Sequence, residues 1–145
     1  MFDKLVTTKE VLAHDMVSYL QGKIPDEKLE AAVETMRKLS KRHAANGNLW
    51  SMVFYLQIQV AIDGGKQFQG RAFGISFPGG GANFGDVYTD DIERLYKATT
   101  TFQFNSTPIY FNVNFFDDDW NLLGHYHAAA ISTVTGIGGG DGSWR

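Results

Sequence analysis

The residues best suited to chemistry in this 145-residue chain are histidines, carboxylates and glycine-rich segments. His125 and His127 alternate with Tyr126, so on a β-strand both imidazoles face the same side, a spacing that metal sites use. A metal site needs a third ligand. The other two histidines, His14 and His43, lie in a segment with a helical pattern, and nothing in the sequence brings them to this pair. The pair is a candidate metal site, but the pattern favours a structural role, and no cofactor is predicted.

Four carboxylates, at Asp86, Asp90, Asp91 and Glu93, are close enough in sequence to suggest acid–base chemistry such as hydrolysis. They also cluster at a predicted helix start, where acidic side chains are stabilising in any protein. No Gly-x-Ser-x-Gly nucleophile motif occurs, and the absence of cysteine excludes thiol catalysis. The sequence therefore predicts a protein that is not an enzyme.

A second acidic run has the first spacings of a calcium loop, at Asp117, Asp119 and Asn121. Leu122 stands where such a loop has glycine, and no bidentate glutamate follows at the proper distance. A polar turn between two apolar strands is the simpler interpretation.

Glycine-rich segments could cradle phosphate through exposed backbone N–H groups. Neither Asp63-Gly64-Gly65 nor Gly79-Gly80-Gly81 is followed by the Gly-Lys-Ser/Thr of a phosphate loop, so turns are predicted instead. We interpret the other prominent glycines as structural too. The structural set is Gly70, Gly79, Gly80, Gly81, Gly124, Gly138, Gly139 and Gly140.

Composition excludes several classes of protein. With 13 Lys and Arg against 16 Asp and Glu, the net charge of −3 argues against nucleic-acid binding. The apolar runs are shorter than the roughly 20 residues that span a bilayer. The first ten residues, MFDKLVTTKE, show no signal peptide.

Residues 1–47 have helical periodicity. A capping-box pattern at Thr7 and Glu10 predicts a first helix over residues 8–21, and Pro25 predicts the start of a second over 25–45 that ends at Asn46-Gly47. Two such helices form an antiparallel hairpin whose apolar stripe must be buried. The rest of the chain, a second copy by self-association, or another protein could cover it.

Residues 48–145 alternate with the period of strands, which predicts a separate mainly-β domain. Thr89 is the expected cap of a short helix ending at Lys97. About eight short strands with regular turns predict a closed antiparallel barrel or a sandwich. The expected strands are residues 50–63, 66–77 (broken by 78–81), 84–88, 99–105, 108–117, 120–130 and 131–136, with 138–145 closing the sheet.

Two stretches of the barrel region repeat the same order of features: an apolar strand, a turn led by Asp, a strand with a central glycine, and a triple-glycine segment. The central glycines, Gly70 and Gly124, are 54 residues apart. A pattern used twice suits a barrel built from two halves.

The aromatic residues alternate along the strands and are expected to fill the barrel core. Trp50, Trp120 and Trp144 lie near strand ends, where they are candidate anchors for a membrane or a partner protein. The residues expected in the core are Phe54, Phe68, Phe73, Phe77, Phe102, Phe104, Tyr110, Phe111, Phe115 and Phe116.

The region from Phe68 to Trp144 resembles the virulence-associated Vap (VapA-like) proteins of Rhodococcus. The resemblance is carried by FPGGGANFGDVYTDDIERLYKATTTFQFN and YFNVNFFDDDWNLLGHYHAAAISTVTGIGGGDGSW. It implies a closed eight-stranded antiparallel β-barrel with a short helix between strands and no known catalytic site, here preceded by the helical hairpin, α+β overall. It also implies a secreted effector that associates with membranes.

The Vap proteins share a signal peptide and then a variable segment before the barrel. In this chain the predicted helical hairpin lies at that place instead. Secretion is therefore expected from the resemblance, with a cytoplasmic location or signal-independent export as the alternatives. The function that we expect is that of a non-enzymatic effector whose surface contacts a membrane or a partner protein. The alternative is a barrel that binds a small molecule or a glycan.

Overall fold

The computed structural model describes residues 2–52, 54–73, 79–129 and 135–145. Within these residues three helices and eight strands follow one another along the chain. They are α1 (Phe2–Leu20), α2 (Asp26–Lys38), β1 (Arg42–Ser51), β2 (Tyr55–Ile62), β3 (Gln67–Phe73), β4 (Gly79–Tyr88), α3 (Ile92–Ala98), β5 (Thr101–Ser106), β6 (Tyr110–Phe116), β7 (Leu122–Ala129) and β8 (Gly136–Trp144).

The eight strands close into an antiparallel barrel in the order β1-β2-β3-β8-β5-β6-β7-β4, with β4 paired back to β1. Closure satisfies the backbone groups that an open sheet edge would expose. The predicted fold class is confirmed, including the short helix between strands and the N-terminal helical pair.

The two halves of the barrel have the same topology. The strands lie in the order β4-β1-β2-β3 in the first half and β8-β5-β6-β7 in the second, and each is a Greek key. Gly70 of β3 and Gly124 of β7 therefore occupy equivalent strands. This topology agrees with the predicted repeat.

Two apolar clusters stabilise the molecule. One fills the barrel and includes Ile58, Phe68, Phe111 and Tyr126. The other lies between the helical hairpin and the outer surface of the barrel, where the apolar stripe of α1 and α2 meets three barrel side chains, Tyr110, Phe116 and Leu122. The rest of the chain thus covers the hairpin stripe.

The prediction that the second helix extends to residue 45 is wrong. The helix ends at Lys38, Leu39 has an extended backbone with ψ 124°, and β1 begins at Arg42. The expected domain boundary at residue 47 consequently falls inside β1. Residues 42–51 pair with β4 on one side, and most of them pair with β2 on the other, and these ladders outweigh a local pattern that resembles a helix end.

The single strand predicted over residues 50–63 is also wrong. It divides at a tight turn in which the Met52 backbone N–H donates to the Tyr55 carbonyl at 2.8 Å. The run contains no glycine, proline or asparagine to mark this turn. Its alternation holds from Leu56 onward, but Met52 and Phe54 are exposed.

The next turn is as predicted, because Asp63-Gly64-Gly65 connects β2 and β3, and Gly64 has the positive φ of 71° that glycine tolerates. The predicted break at residues 78–81 is wrong for its three glycines, which pair with β1 as part of β4. Pro78 lies outside the described residues, as do residues 74–77 of the expected strand 66–77.

Asp91, and not Thr89, caps α3. The Asp91 side chain accepts from the Arg94 backbone N–H at 3.1 Å, whereas the buried Thr89 hydroxyl donates to the Leu123 carbonyl at 2.8 Å. At the C-terminus β8 pairs with β3 and β5 and closes the barrel, as predicted for residues 138–145. The strand expected over 131–136 lies mostly outside the described residues.

Candidate functional site

The barrel interior is filled by packed side chains. Phe68 contacts the rings of Phe102, Phe115 and Trp144 at centroid distances of 5.5, 4.9 and 5.5 Å. Elsewhere in the interior the Tyr126 hydroxyl donates to Asn83 Oδ1 at 2.6 Å. An eight-stranded barrel is just wide enough for side chains to fill it, so the outer surface is where function must be sought.

His125 and His127 face the same side of β7, as their spacing predicts, and that side is the outside of the barrel. His125 nevertheless is only 1% exposed, and its ring stacks on Tyr88 at a centroid distance of 5.0 Å. Neither ring nitrogen of His125 has a hydrogen-bond partner among the described residues. The described part of the chain contains no group of three or more His, Asp or Glu side chains that could hold a metal ion.

Burial disfavours the charged form of both histidines. The pKa of His125 is lowered from 6.5 to about 3, mainly by burial and to a smaller extent by the nearby His127 and Lys9. Burial also lowers the pKa of His127, where Asp86 has the opposite effect. His125 is therefore a buried ring contact with unused hydrogen-bonding capacity, and His127 beside it is partly exposed. Sequence spacing alone does not reveal this difference.

The acidic cluster that suggested acid–base chemistry has structural contacts. Asp91 caps α3, and Asp90 Oδ1 accepts from the backbone N–H groups of Ser40 and Lys41 at 3.4 and 3.2 Å. Asp90 thereby fixes the connection between α2 and β1.

The candidate calcium loop is a polar turn, as the simpler interpretation of the sequence predicts. Asp117 Oδ1 accepts from the backbone N–H groups of Asp119 and Asn121, each at 2.9 Å. Burial opposes ionisation of Asp117, but hydrogen bonds from Asn121 and Asp119 and the charge of Arg94 outweigh it and lower the pKa.

The three candidate tryptophan anchors lie in different surroundings. Trp144 is 6% exposed and belongs to the barrel core, so its assignment as a surface anchor is wrong. Trp120 is partly buried and packs edge-on against Phe116, 5.3 Å away, beside the hairpin. Trp50, near the end of β1, is exposed.

The glycines singled out in the sequence lie in strands, and two of them show why. A Cβ on Gly70 would lie 2.7 Å from the rings of Phe68 and Phe102, and one on Gly124 would lie 2.8 Å from the Tyr88 carbonyl oxygen. Side chains at these positions would overlap the packed core. The remaining members are Gly79, Gly80 and Gly81 in β4, and Gly138, Gly139 and Gly140 in β8.

Large apolar side chains are exposed at one end of the barrel. Trp50, Met52, Phe54 and Phe73, here called the apolar rim, are 46, 73, 68 and 78% exposed. Because the strands are antiparallel, the β1–β2 turn and the C-terminal end of β3 lie at the same end. The Phe73 ring packs edge-on against Tyr55, with centroids 5.8 Å apart.

Sequence reasoning named Trp50 as a candidate anchor but missed the other three residues of this rim. Phe54 and Phe73 were expected in the core, but Phe54 lies in the unmarked turn and Phe73 continues the outward face of β3. The polar outward residues Gln67, Gln69 and Arg71 could have placed Phe73 outside. Tyr110 and Phe116, also expected in the barrel core, are buried against the hairpin instead, and Phe77 lies outside the described residues.

The hairpin covers a row of buried amides on the outside of β5 and β6. This amide strip consists of Gln103, Asn105, Asn112 and Asn114, each at most 2% exposed. Its members bond to one another, for example Asn114 Nδ2 to Gln103 Oε1 at 2.8 Å and Asn105 Nδ2 to Asn112 Oδ1 at 3.0 Å. The helices above contribute none of these bonds.

Among the described residues, no helix combines the length and the apolar character needed to cross a bilayer.

Comparison with known proteins identifies the family. The family model described as Rhodococcus equi virulence-associated protein matches residues 4–145, which include α2 and all but the first two residues of α1. No curated protein sequence matches this chain.

Two solved structures of Rhodococcus equi proteins are similar to this chain. Virulence-associated protein VapB of the intracellular pathogen Rhodococcus equi is 42% identical, with a TM-score of 0.69, over 72% of this chain and 96% of VapB. Virulence-associated protein VapD is 38% identical, with a TM-score of 0.70, over 72% of this chain and 97% of VapD. In both comparisons 72% of this chain is matched. Residues 42–145, which form the barrel, make up the same share of the chain. The family match, the barrel and these likenesses together show that this chain belongs to the Rhodococcus equi virulence-associated protein family, the Vap family.

Proposed function

We propose that this protein acts in virulence without catalysing a reaction, by attaching to lipid membranes through the apolar rim. Family membership supports the virulence-associated role. The observation that carries the attachment is the exposure of Trp50, Met52, Phe54 and Phe73 at one barrel end. Contiguous exposed apolar side chains mark membrane or protein contacts, and aromatic side chains suit the interface between headgroups and acyl chains.

Attachment of this kind depends on apolar burial more than on charge. The chain carries a net charge of −3, so anionic lipids do not attract it as a whole. Binding should consequently change little between low and physiological salt and between neutral and anionic vesicles.

Flotation of the full chain with neutral and anionic vesicles tests this proposal. Phe73→Ser should weaken binding about 10-fold or more, because inserting one phenylalanine contributes roughly 1.5–3 kcal/mol. Phe84→Ser is the matched control, since Phe84 is also an outward, 64% exposed strand residue. In β4, Phe84 lies four positions from Gly80, the residue that pairs with Trp50. Four positions correspond to about 13 Å along the strand.

Wild-type binding that Phe73→Ser leaves unchanged, or that Phe84→Ser weakens equally, would contradict the proposal. If no vesicle binds the wild-type chain, membrane attachment is excluded and a protein partner becomes the occupant of the rim to be sought.

A second candidate function is the binding of a small hydroxyl-rich molecule such as a sugar. The observation in its favour is an open groove of about 450 Å³ on the outside of β2, β3 and β8, lined by Gln57, Gln69, Arg71, Asp141 and Ser143 among others. Amide, guanidinium and carboxylate groups together can donate to and accept from hydroxyls. Titration with oligosaccharides, followed by amide chemical shifts, should perturb these residues, and unperturbed shifts would exclude this candidate.

A further inference from the structure

His125 lies beneath the helical hairpin without any bond that would hold it there. It projects from the outer side of β7, level with Asn114 of β6 and Tyr88 of β4 in the strand register. At 1% exposure, neither of its ring nitrogens has a partner among the described residues. A buried imidazole normally makes hydrogen bonds. Because His125 makes none with the described residues, it contributes no polar contact to the docking of the hairpin.

The charged and titratable groups around His125 offer no counter-ion for a proton. Lys9 of α1 and His127 of β7 disfavour the charged form, and the Tyr88 ring stacks from β4. Asp86 favours the charged form of His127, the next outward residue of β7 after His125. A proton on His125 would therefore place a cation in an apolar interface beside the ammonium of Lys9.

Few polar bonds join the hairpin to the barrel. Among the described side chains, Lys28 Nζ donates to Asn121 Oδ1 at 3.1 Å, and the Tyr110 hydroxyl donates to Asp15. Among the described side chains the remaining attachment is apolar, through buried residues such as Met16 and Met36. The hairpin precedes β1 in the chain, so it can leave without breaking a barrel strand.

The surface beneath the hairpin can tolerate water. The amide strip already satisfies itself internally, and its amides, like the imidazoles of His125 and His127, hydrate readily. VapB and VapD are matched over 96 and 97% of their lengths by 72% of this chain, the share that the barrel makes up.

We infer that α1 and α2 form an acid-released cover, which docks on β5, β6 and β7 near neutral pH and opens when His125 and His127 take up protons. Opening exposes the amide strip together with the apolar stripe of the hairpin, while the barrel stays folded. The outer face of β5, β6 and β7 is therefore concealed near neutral pH and accessible to solvent in acid.

The direction follows from the pKa values. His125 has a pKa of about 3 under the cover and an ordinary value of 6.5 when solvated. The docked state binds fewer protons between these values, so docking is most stable above pH 6.5 and weakens as the pH falls toward 3. His125 alone should raise the open-to-docked ratio about 30-fold between pH 7.5 and pH 5.

Hydrogen exchange of the full chain at pH 7.5 and pH 5, corrected for the intrinsic pH dependence of exchange, tests this inference. Amides of α1 and α2 should lose protection about 30-fold at pH 5, and amides of β6 should keep theirs. His125→Phe keeps a ring against Tyr88 but cannot take up a proton, so most of the pH effect should disappear. His14→Gln is the matched control, because the His14 side chain is 79% exposed on α1.

If His125→Phe does not fold, the His125 C2–H resonance of the wild-type protein, followed against pH, replaces it. That resonance should titrate together with the loss of helix protection. Parallel loss of protection in helices and barrel, unchanged protection at pH 5, or a pH effect that persists in His125→Phe would each overturn the inference.

Discussion

The two outer walls of the barrel differ although the halves that form them share one topology. In the wall of β2 and β3, every second residue is buried and the others are at least partly exposed. In the wall of β5 and β6, nearly every residue is buried, because the hairpin lies over it. We call these the open wall and the covered wall. The same interior plan can thus support two different exteriors, and the difference between them lies in what packs outside the barrel.

The largest effect is expected from breaking the interior that both walls share. Gly124→Val places a side chain against the Tyr88 carbonyl oxygen, only 2.8 Å from the position of its Cβ. Such overpacking costs about 2–4 kcal/mol, which should lower the melting temperature by roughly 10 °C. Thermal unfolding followed by circular dichroism measures this. Ala129→Val, at the exposed end of β7, is the control, and an unchanged melting temperature for Gly124→Val would contradict the packing described.

A more local effect, confined to the hairpin, is expected from weakening the cover alone. Met36 is fully buried between α2 and the covered wall, so Met36→Ala should destabilise docking of the hairpin by about 2–4 kcal/mol. Hydrogen exchange should show faster exchange in α1 and α2, with β2 and β3 unchanged. The exposed Val11 on α1 provides the control Val11→Ala. Equal loss of protection in the open wall would show that cover and barrel unfold as one unit.

The smallest effect is expected from a single polar contact between the hairpin and the covered wall. Tyr110→Phe removes the hydroxyl that donates to Asp15, a partly exposed carboxylate, and should weaken docking by about 1 kcal/mol. Tyr19→Phe is the control, since the Tyr19 hydroxyl has no hydrogen-bond partner among the described residues. Hydrogen exchange of α1 measures the change, and an effect as large as that of Met36→Ala would mean that polar contacts hold the cover.

Local sequence patterns predicted the parts of the fold that depend on local periodicity. The alternation from Leu56 onward, the Gly64 turn and the helical stripe of α1 follow from neighbours in sequence. The end of α2 did not, because pairing of residues 42–51 with distant strands decided it. The turn at Met52 carries no glycine or proline, so nothing local marks it.

The candidate site was predictable only in part. The spacing of His125 and His127 placed both on one face of a strand. It could not reveal that helices bury this face, since burial there depends on docking between segments about 100 residues apart in sequence. Phe73 was misplaced because an aromatic residue in a strand was expected to face inward.

Fluorescence of Trp50 tests most directly the central claim that the apolar rim attaches the protein to membranes. Vesicles with brominated acyl chains should quench the wild-type protein and Trp120→Phe, but not Trp50→Phe, in which the core residue Trp144 and the partly buried Trp120 remain. Quenching that persists in Trp50→Phe, or bound vesicles that leave wild-type emission unchanged, would contradict attachment through this end of the barrel.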